Sequence, residues 1–308
     1  MNSRLGGNTQ CGGAPLISVV VAAKNEEHHL RQALCSILAQ NDVNLELVFV
    51  DDGSNDRTLD IACEIGRGDR RLSVYSNQGS GKCSGFNFGV SKARGAYVCI
   101  FSGDDVMPQG SLRGRLDAIQ ASGQETAVIG LSKLVTMSDV SKFDGFLIPR
   151  AKGVGALSGV SPLMNRKALE LVFPVPEFLP NEDTWMELAV LHLEDVLVIH
   201  SNVVACRWRV HSGNSINMML PFAEYNSKVT ARFRALPVFY EKFKDSISQD
   251  QSTILRAKMR CEESRVQGDM VGVMLSGAGF VDRLRALSIT NGFLFWIRRS
   301  CYGLFSGW

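Results

Sequence analysis

Ala96-Tyr-Val-Cys-Ile-Phe-Ser-Gly-Asp-Asp105 runs from a short apolar segment straight into two adjacent carboxylates. The apolar half reads as a strand buried on both faces, with the acids at its carboxyl end. Like charges this close must share a proton or bind a cation. Mg²⁺ or Mn²⁺ accepts one or two protein carboxylates and completes its shell with phosphate oxygens and water. The competing reading makes one aspartate the cap of a helix beginning near Pro108 and leaves the other solvated. What surrounds the strand decides between the two.

Upstream, β-branched runs alternate with helical patterns: Ile17–Ala22 then Glu26–Ala39, Leu45–Val50 then Arg57–Gly66, Leu72–Tyr75 then Ser84–Ala93. That alternation implies right-handed βαβ units and an α/β fold, a Rossmann-like, mostly parallel sheet flanked by helices. Ligands of such sheets bind beyond the carboxyl ends of the strands. The rule selects three polar loops, Ala23-Lys24-Asn25, Asp51-Asp52-Gly53-Ser54 and Ser102-Gly103-Asp104-Asp105, and favours the cation reading of the acidic pair. Downstream, helices are expected over Pro108–Ala121, Pro162–Leu171 and Asn181–Leu193, and strands over Ala127–Val135, Val196–Ile199 and Val203–Val210. After about Met218 the pattern is helical and charged.

Composition narrows the classes. Thirty-three Lys and Arg against 31 Asp and Glu leave a net charge of +2, which gives no bulk electrostatic case for nucleic acid. Any anionic partner must be held by a local site. Eight scattered cysteines without a CxxC pair fit a reducing cytoplasm. The first residues lack the apolar core of a signal peptide, and no run reaches the eighteen or so apolar residues of a membrane span. The C-terminal Gly292–Trp308 places aromatics beside Arg298 and Arg299. It reads either as a terminal helix packed on the domain or as a contact with the inner face of the membrane.

Three further groups can carry chemistry. Asp52 follows an apolar strand, and an ionised acid there can accept hydrogen bonds from a pyrimidine imide or from ribose hydroxyls, while Gly53 to Asp56 form a helix-capping turn. Glu182 and Asp183 open a predicted helix, where acids are also favoured by the helix dipole; a carboxylate in a closed cleft could equally serve an acceptor hydroxyl as general base. In Arg207-Trp-Arg-Val-His-Ser-Gly-Asn-Ser215, alternation puts Arg207, Arg209 and His211 on one face, a cluster suited to a departing diphosphate or to an exposed edge.

Ser18-Val-Val-Val-Ala-Ala-Lys-Asn-Glu-Glu27, Val50-Asp-Asp-Gly-Ser-Asn-Asp-Arg-Thr58, Asn87-Phe-Gly-Val-Ser-Lys-Ala-Arg-Gly-Ala-Tyr97 and Phe101-Ser-Gly-Asp-Asp-Val-Met-Pro108 together resemble the family two glycosyltransferases, in that order and at family-like spacing. The resemblance covers about residues 16–215. It implies a GT-A fold and transfer, with inversion, from a nucleoside-diphosphate sugar, a UDP-sugar first, to a glycan or lipid-linked acceptor in surface-polysaccharide or cell-envelope assembly. It places Ala23, Asn25, Asp52, Lys82, Asn87, Asp104, Glu182, Arg209 and Ser215 in the nucleotide-sugar site. It makes Asp183 the catalytic base and Asp105, with Asp104 and His211, the holder of Mn²⁺ or Mg²⁺. The expected organisation is a flexible tail over 1–14, a GT-A domain over 15–217 with a nucleotide-binding half (15–107) and an acceptor half (108–217), and a helical extension over 218–308.

Two positions depart from the family pattern. Ser102 stands where the family often has the first aspartate of Asp-x-Asp-Asp, leaving ribose to Asp104. Ala22-Ala23-Lys24 replaces Pro-Thr-Tyr, removing an aromatic from the first loop. A non-catalytic sugar-nucleotide-binding relative is the main alternative. A nucleotidyltransferase would need a Gly-rich basic first loop, and a dehydrogenase a GxGxxG turn; neither is present.

Overall fold

The computed structural model describes residues 14–123, 126–210 and 220–300. In chain order the elements are β1 (Leu16–Ala23), α1 (Leu30–Leu38), β2 (Asn44–Asp51), α2 (Thr58–Gly68), β3 (Leu72–Ser76), α3 (Lys82–Lys92), β4 (Tyr97–Phe101) and α4 (Ser111–Gln120). Then follow β5 (Ala127–Met137), β6 (Leu147–Ile148), β7 (Leu163–Asn165), α5 (Arg166–Val172), α6 (Asp183–His192) and β8 (Val196–Arg209). The chain continues through α7 (Phe222–Phe233), α8 (Ala235–Phe243), α9 (Gln249–Gln267), α10 (Met270–Leu275), α11 (Phe280–Leu287) and α12 (Gly292–Ser300).

The strands form one sheet in the order β3-β2-β1-β4-β7-β5-β6, with β8 pairing in parallel along β5. β1 to β4 are parallel, whereas β7 runs antiparallel to both β4 and β5. Period-2 alternation sorts their side chains onto two faces. Val20, Val48, Val50, Val98 and Ile100 join one core with Phe86 of α3 and Trp185 of α6. Val19, Val21, Leu47, Phe49 and Phe101 join the other, under α1 and α4. With both faces covered, polar loops have room only at the strand ends, and the carboxyl ends of β1, β2 and β4 lie side by side.

The structure corrects three expectations. The helix expected from Pro162 begins only at Arg166. Met164 is fully buried between β4 and β5, and the Asn165 side chain accepts the Ala168 N–H as helix cap. The two strands expected over 196–210 are one fourteen-residue strand with register irregularities near Lys133, because a local bulge absorbs the polar break at Ser201-Asn202. Helix α1 starts at Leu30 rather than Glu26, since the Glu26 and Glu27 amides are taken by Thr58 and Asp56 across the loop. Helix α8 packs onto the sheet domain: Phe239 lies edge-to-face on Trp185, ring centroids 5.3 Å apart, within the first core.

Candidate active site

At the ends of β1 and β2 the two loops lock together. Asp52 N donates to Ala23 O at 2.9 Å, Asn25 N to Ser54 Oγ at 3.0 Å, and Asn55 N to Asn25 Oδ1 at 2.9 Å. Asn25 holds a left-handed backbone, φ +57°, which asparagine tolerates better than most residues. Its side-chain oxygen shapes the loop, so any nucleoside contact falls to its remaining donors. Asp51 is buried, and its Oδ2 accepts the Gly53 and Ser54 amides. Asp52, half-buried, receives Asn77 Nδ2 at 2.7 Å and the Gly81 amide at 3.0 Å. Asn77 and Gly81 are site-shaping residues that the sequence reading passed over; their only signal was the Asn-x-Gly-x-Gly stretch before α3.

The loop after β4 folds tightly against β1. A Cβ on Gly103 would stand 2.8 Å from that of Ala23, so only glycine lets the acidic pair sit there. Ser102 Oγ donates to Asp104 Oδ1, so the residue that replaces the family's first aspartate orients the second. Asp105 is 2% exposed; its Oδ1 accepts the Arg209 backbone N–H at 2.7 Å, and its carboxylate meets the Cys206 thiol. Burial, then the neighbouring Asp104 charge, push its pKa up to about 7 against the pull of these donors. Arg209 Nε donates to Asp104 O at 2.8 Å and Nη2 to Gln32 Oε1 at 2.7 Å. Arg209 therefore clamps the end of β8 onto the acidic loop.

The second acidic pair arrives from the other half of the chain. Glu182 is 1% exposed and pairs through Oε1 with Lys82 Nζ at 3.0 Å. Burial raises its pKa despite that lysine. Burial works against the Lys82 ammonium, but the carboxylates of Glu182, Asp183 and Asp104 outweigh it and hold its pKa above the ordinary lysine value. One cation thus lies in the field of acids from both loops. Asp183 Oδ1 accepts the Gly159 amide at 2.7 Å and Oδ2 accepts Asn181 Nδ2 at 2.9 Å. Each oxygen keeps a second lone-pair direction.

The Gly-rich run Lys152-Gly-Val-Gly-Ala-Leu-Ser-Gly159 ends against these acids. A Cβ there would lie 2.7 Å from both Asp183 Oδ1 and Glu182 Oε1. Asn87 Nδ2 donates to Val175 O at 2.7 Å and its Oδ1 accepts Val175 N at 2.8 Å, clamping α3 to the segment before α6. His211 and Ser215 lie outside the described residues.

Among the described residues no group of three or more His, Cys, Asp and Glu is arranged to hold a metal. The donors that remain are the Asp104 and Asp105 carboxylates. One is half-buried and the other is buried with a raised pKa, a combination that a divalent cation would relieve. Such a pair fits Mg²⁺ or Mn²⁺ when phosphate and water complete the shell.

Comparison with known proteins identifies the arrangement. The family model for glycosyl transferase family 2 matches residues 18–136. Those residues form a family 2 glycosyl transferase domain. An uncharacterized glycosyltransferase of Haemophilus influenzae is 34% identical over 106 residues, covering 33% of this chain and 42% of its own length. One from Rickettsia felis is 24% identical over 207 residues, 61% of this chain and 34% of its own. The chain thus spans less than half the length of these relatives. Among solved structures, S. aureus TarS 1-349 superposes with a TM-score of 0.58 at 15% identity, over 94% of this chain and 91% of that one. The mannosyltransferase PcManGT of Pyrobaculum calidifontis, in complex with GDP-Man and Mn²⁺, gives 0.55 at 15% identity over 96% and 88%. At such identities the likeness is one of fold, and the fold is GT-A.

Proposed function

We propose that the chain is a metal-dependent, inverting glycosyltransferase that moves a sugar from a nucleoside-diphosphate sugar to a hydroxyl of a glycan or lipid-linked acceptor, in the cytoplasmic assembly of surface or envelope glycan. The observation that carries this reading is the convergence at Lys82, which pairs with Glu182 and lies in the field of both Asp183 and Asp104. In this reading the donor-side and acceptor-side acids act around one shared cation. TarS has been solved with UDP-GlcNAc and PcManGT with GDP-Man and Mn²⁺, which supports a sugar nucleotide as donor, UDP-linked first.

In this reading Asp52, fixed by Asn77 and Gly81, receives the base, and Asp183 takes the proton of the acceptor hydroxyl as it attacks the anomeric carbon. Lys82 and Arg209 face the departing diphosphate. For the acidic pair, this reading exchanges the roles that the resemblance implies. Asp105 is committed to the Arg209 amide and the Cys206 thiol, so Asp104, more exposed and oriented by Ser102, is the principal cation ligand. A bound cation would neutralise the diphosphate oxygens.

Thermal-shift titration with UDP, GDP and their sugar conjugates, with and without Mn²⁺, tests the proposal through ligand linkage. A melting temperature raised by a UDP-sugar only when Mn²⁺ is present is the expected result. No shift with any nucleotide in either condition overturns it.

A further inference from the structure

The last three helices carry their hydrophobicity outward. Of the nineteen large apolar side chains left exposed among the described residues, ten fall within residues 270–300. That concentration departs from the scattered exposure usual on soluble surfaces. Each helix shows the same inversion: α10 buries Val273 and exposes Val271 and Leu275, α11 buries Ala286 and exposes Phe280 and Val281, and α12 buries Phe295 and exposes Phe293 and Trp296. In α12, Phe295 packs on Tyr225 with ring centroids 4.8 Å apart, while Phe293 and Trp296 stack on each other outside at 6.3 Å. The helix therefore packs on the domain by one side and leaves an aromatic side unpartnered. Contacts join the three helices: Arg283 Nη1 donates to Met274 O at 3.0 Å, and Asn291 Nδ2 reaches the Met270 sulfur at 3.9 Å.

The charge carried by these helices is predominantly positive, although Arg285 is paired with Glu262 at 3.8 Å as well as with Asp282. Residues 270–300 contain four arginines and one acid, Asp282, which is engaged by Arg285 at 3.3 Å and Lys258 at 3.8 Å. Arg283 and Arg298 donate to neutral acceptors, the Met274 carbonyl and the Ser288 hydroxyl, so these contacts leave their charge uncancelled. Exposed aromatic and aliphatic side chains bordered by arginines are the composition of a surface that lies in the headgroup region of a bilayer. Two copies of this chain meeting face to face would instead bring like charges together. No helix among the described residues is long and apolar enough to cross a membrane.

We infer that α10, α11 and α12 form a docking surface for an anionic lipid bilayer, with their apolar side chains in the interface and their arginines on the headgroups. Seating the domain there is independent of the reaction it performs.

Co-sedimentation of the full chain with phosphatidylcholine vesicles, and with vesicles that also contain phosphatidylglycerol, tests this. Binding to the anionic vesicles that weakens as salt is raised is expected. The exposed-site variant F280S/F293S/W296S, checked by circular dichroism, should lose it. R298Q/R299Q should weaken it by on the order of thirtyfold, the effect of two cations each attracted to an anionic surface. Protein that stays in the supernatant with both vesicles overturns the inference, as does unchanged binding by both variants. A dimer in light scattering that dissolves in F280S/F293S/W296S, without vesicle binding, overturns it in favour of a second copy as the occupant.

Discussion

The two ends of the central sheet bury the same kind of group and treat it in opposite ways. At the amino end, Glu46 of β2 is 7% exposed and fully engaged. Its oxygens accept Ser18 Oγ at 2.5 Å, the Arg94 amide at 2.5 Å and Arg94 Nε at 2.9 Å, and Ser18 Oγ in turn accepts the Gly95 amide. Burial pushes its pKa up, but these donors prevail and hold it below the usual glutamate value. At the carboxyl end, Glu182 is at least as buried, yet its pKa is raised, and Glu182 Oε2 and Asp51 Oδ1 have no hydrogen-bond partner. A buried carboxylate that the fold itself satisfies is structural. Carboxylates crowded together and short of donors are suited to a ligand that brings a cation or hydroxyls.

The contrast breaks most visibly at Asp183. Asp183→Asn should lower the rate of sugar transfer by about 10³-fold, within the range of a positioned general base. UDP-sugar affinity by calorimetry should stay within a few-fold of wild type. Equal losses of both would make Asp183 a structural residue held by Gly159 and Asn181. The acidic pair separates next. Asp104→Asn should weaken Mn²⁺-dependent nucleotide binding by on the order of tenfold to a hundredfold, the range for losing support of a bound metal, whereas Asp105→Asn should chiefly lower the melting temperature, because it holds the Arg209 amide. Reversed phenotypes would restore Asp105 as the cation ligand.

Gly159, whose amide holds Asp183, tests the support of the acids at the same end. An alanine Cβ would have to displace the Asp183 and Glu182 side chains it meets at 2.7 Å. Misplacement of a catalytic group by a fraction of an ångström to an ångström costs on the order of tenfold to a hundredfold in turnover. Gly159→Ala should therefore reduce turnover by that factor with a nearly unchanged melting temperature. A variant with full turnover would mean that the 151–159 segment is free to move away.

Much of this site was legible in the chain. β-branched runs ending in Asn25, Asp52 and Asp104-Asp105 are strong strand-end signals, and the open-sheet rule then brings them together without knowledge of any long-range contact. What was not legible depends on packing between distant segments. Nothing local in Asn87 distinguishes a nucleotide contact from a clamp on Val175, eighty-eight residues away. Nothing in two adjacent aspartates reveals which one β8 will cover, because that follows from where the Arg209 amide arrives. The Leu163–Asn165 strand was missed because three residues carry no periodicity, and the pairing that creates it lies in β4 and β5. The outward apolar faces of α10 and α11 were also missed, since an inverted amphipathic pattern reads the same as an ordinary one until burial assigns its inside.

The smallest effect on activity should come from the amino end, and it completes the comparison. Glu46→Gln leaves the size of the side chain but replaces an acceptor oxygen facing Arg94 with a donor, so it should destabilise the fold by about 2 kcal/mol, as for hydrogen bonds to a charged group. Turnover at saturating substrate should be unaltered, since this network lies at the opposite end of the strands from the acids around Lys82. The pH dependence carries the sign. Because the folded-state pKa of Glu46 lies below the ordinary glutamate value of 4.5, its charged form stabilises the fold above that value, and the contribution is lost as pH falls through the folded-state pKa. Thermal melts of wild type and Glu46→Gln should accordingly differ at neutral pH and converge in acid. A gap that persisted in acid would show that Glu46 acts through packing rather than charge, and the contrast between the two ends would then rest on burial alone.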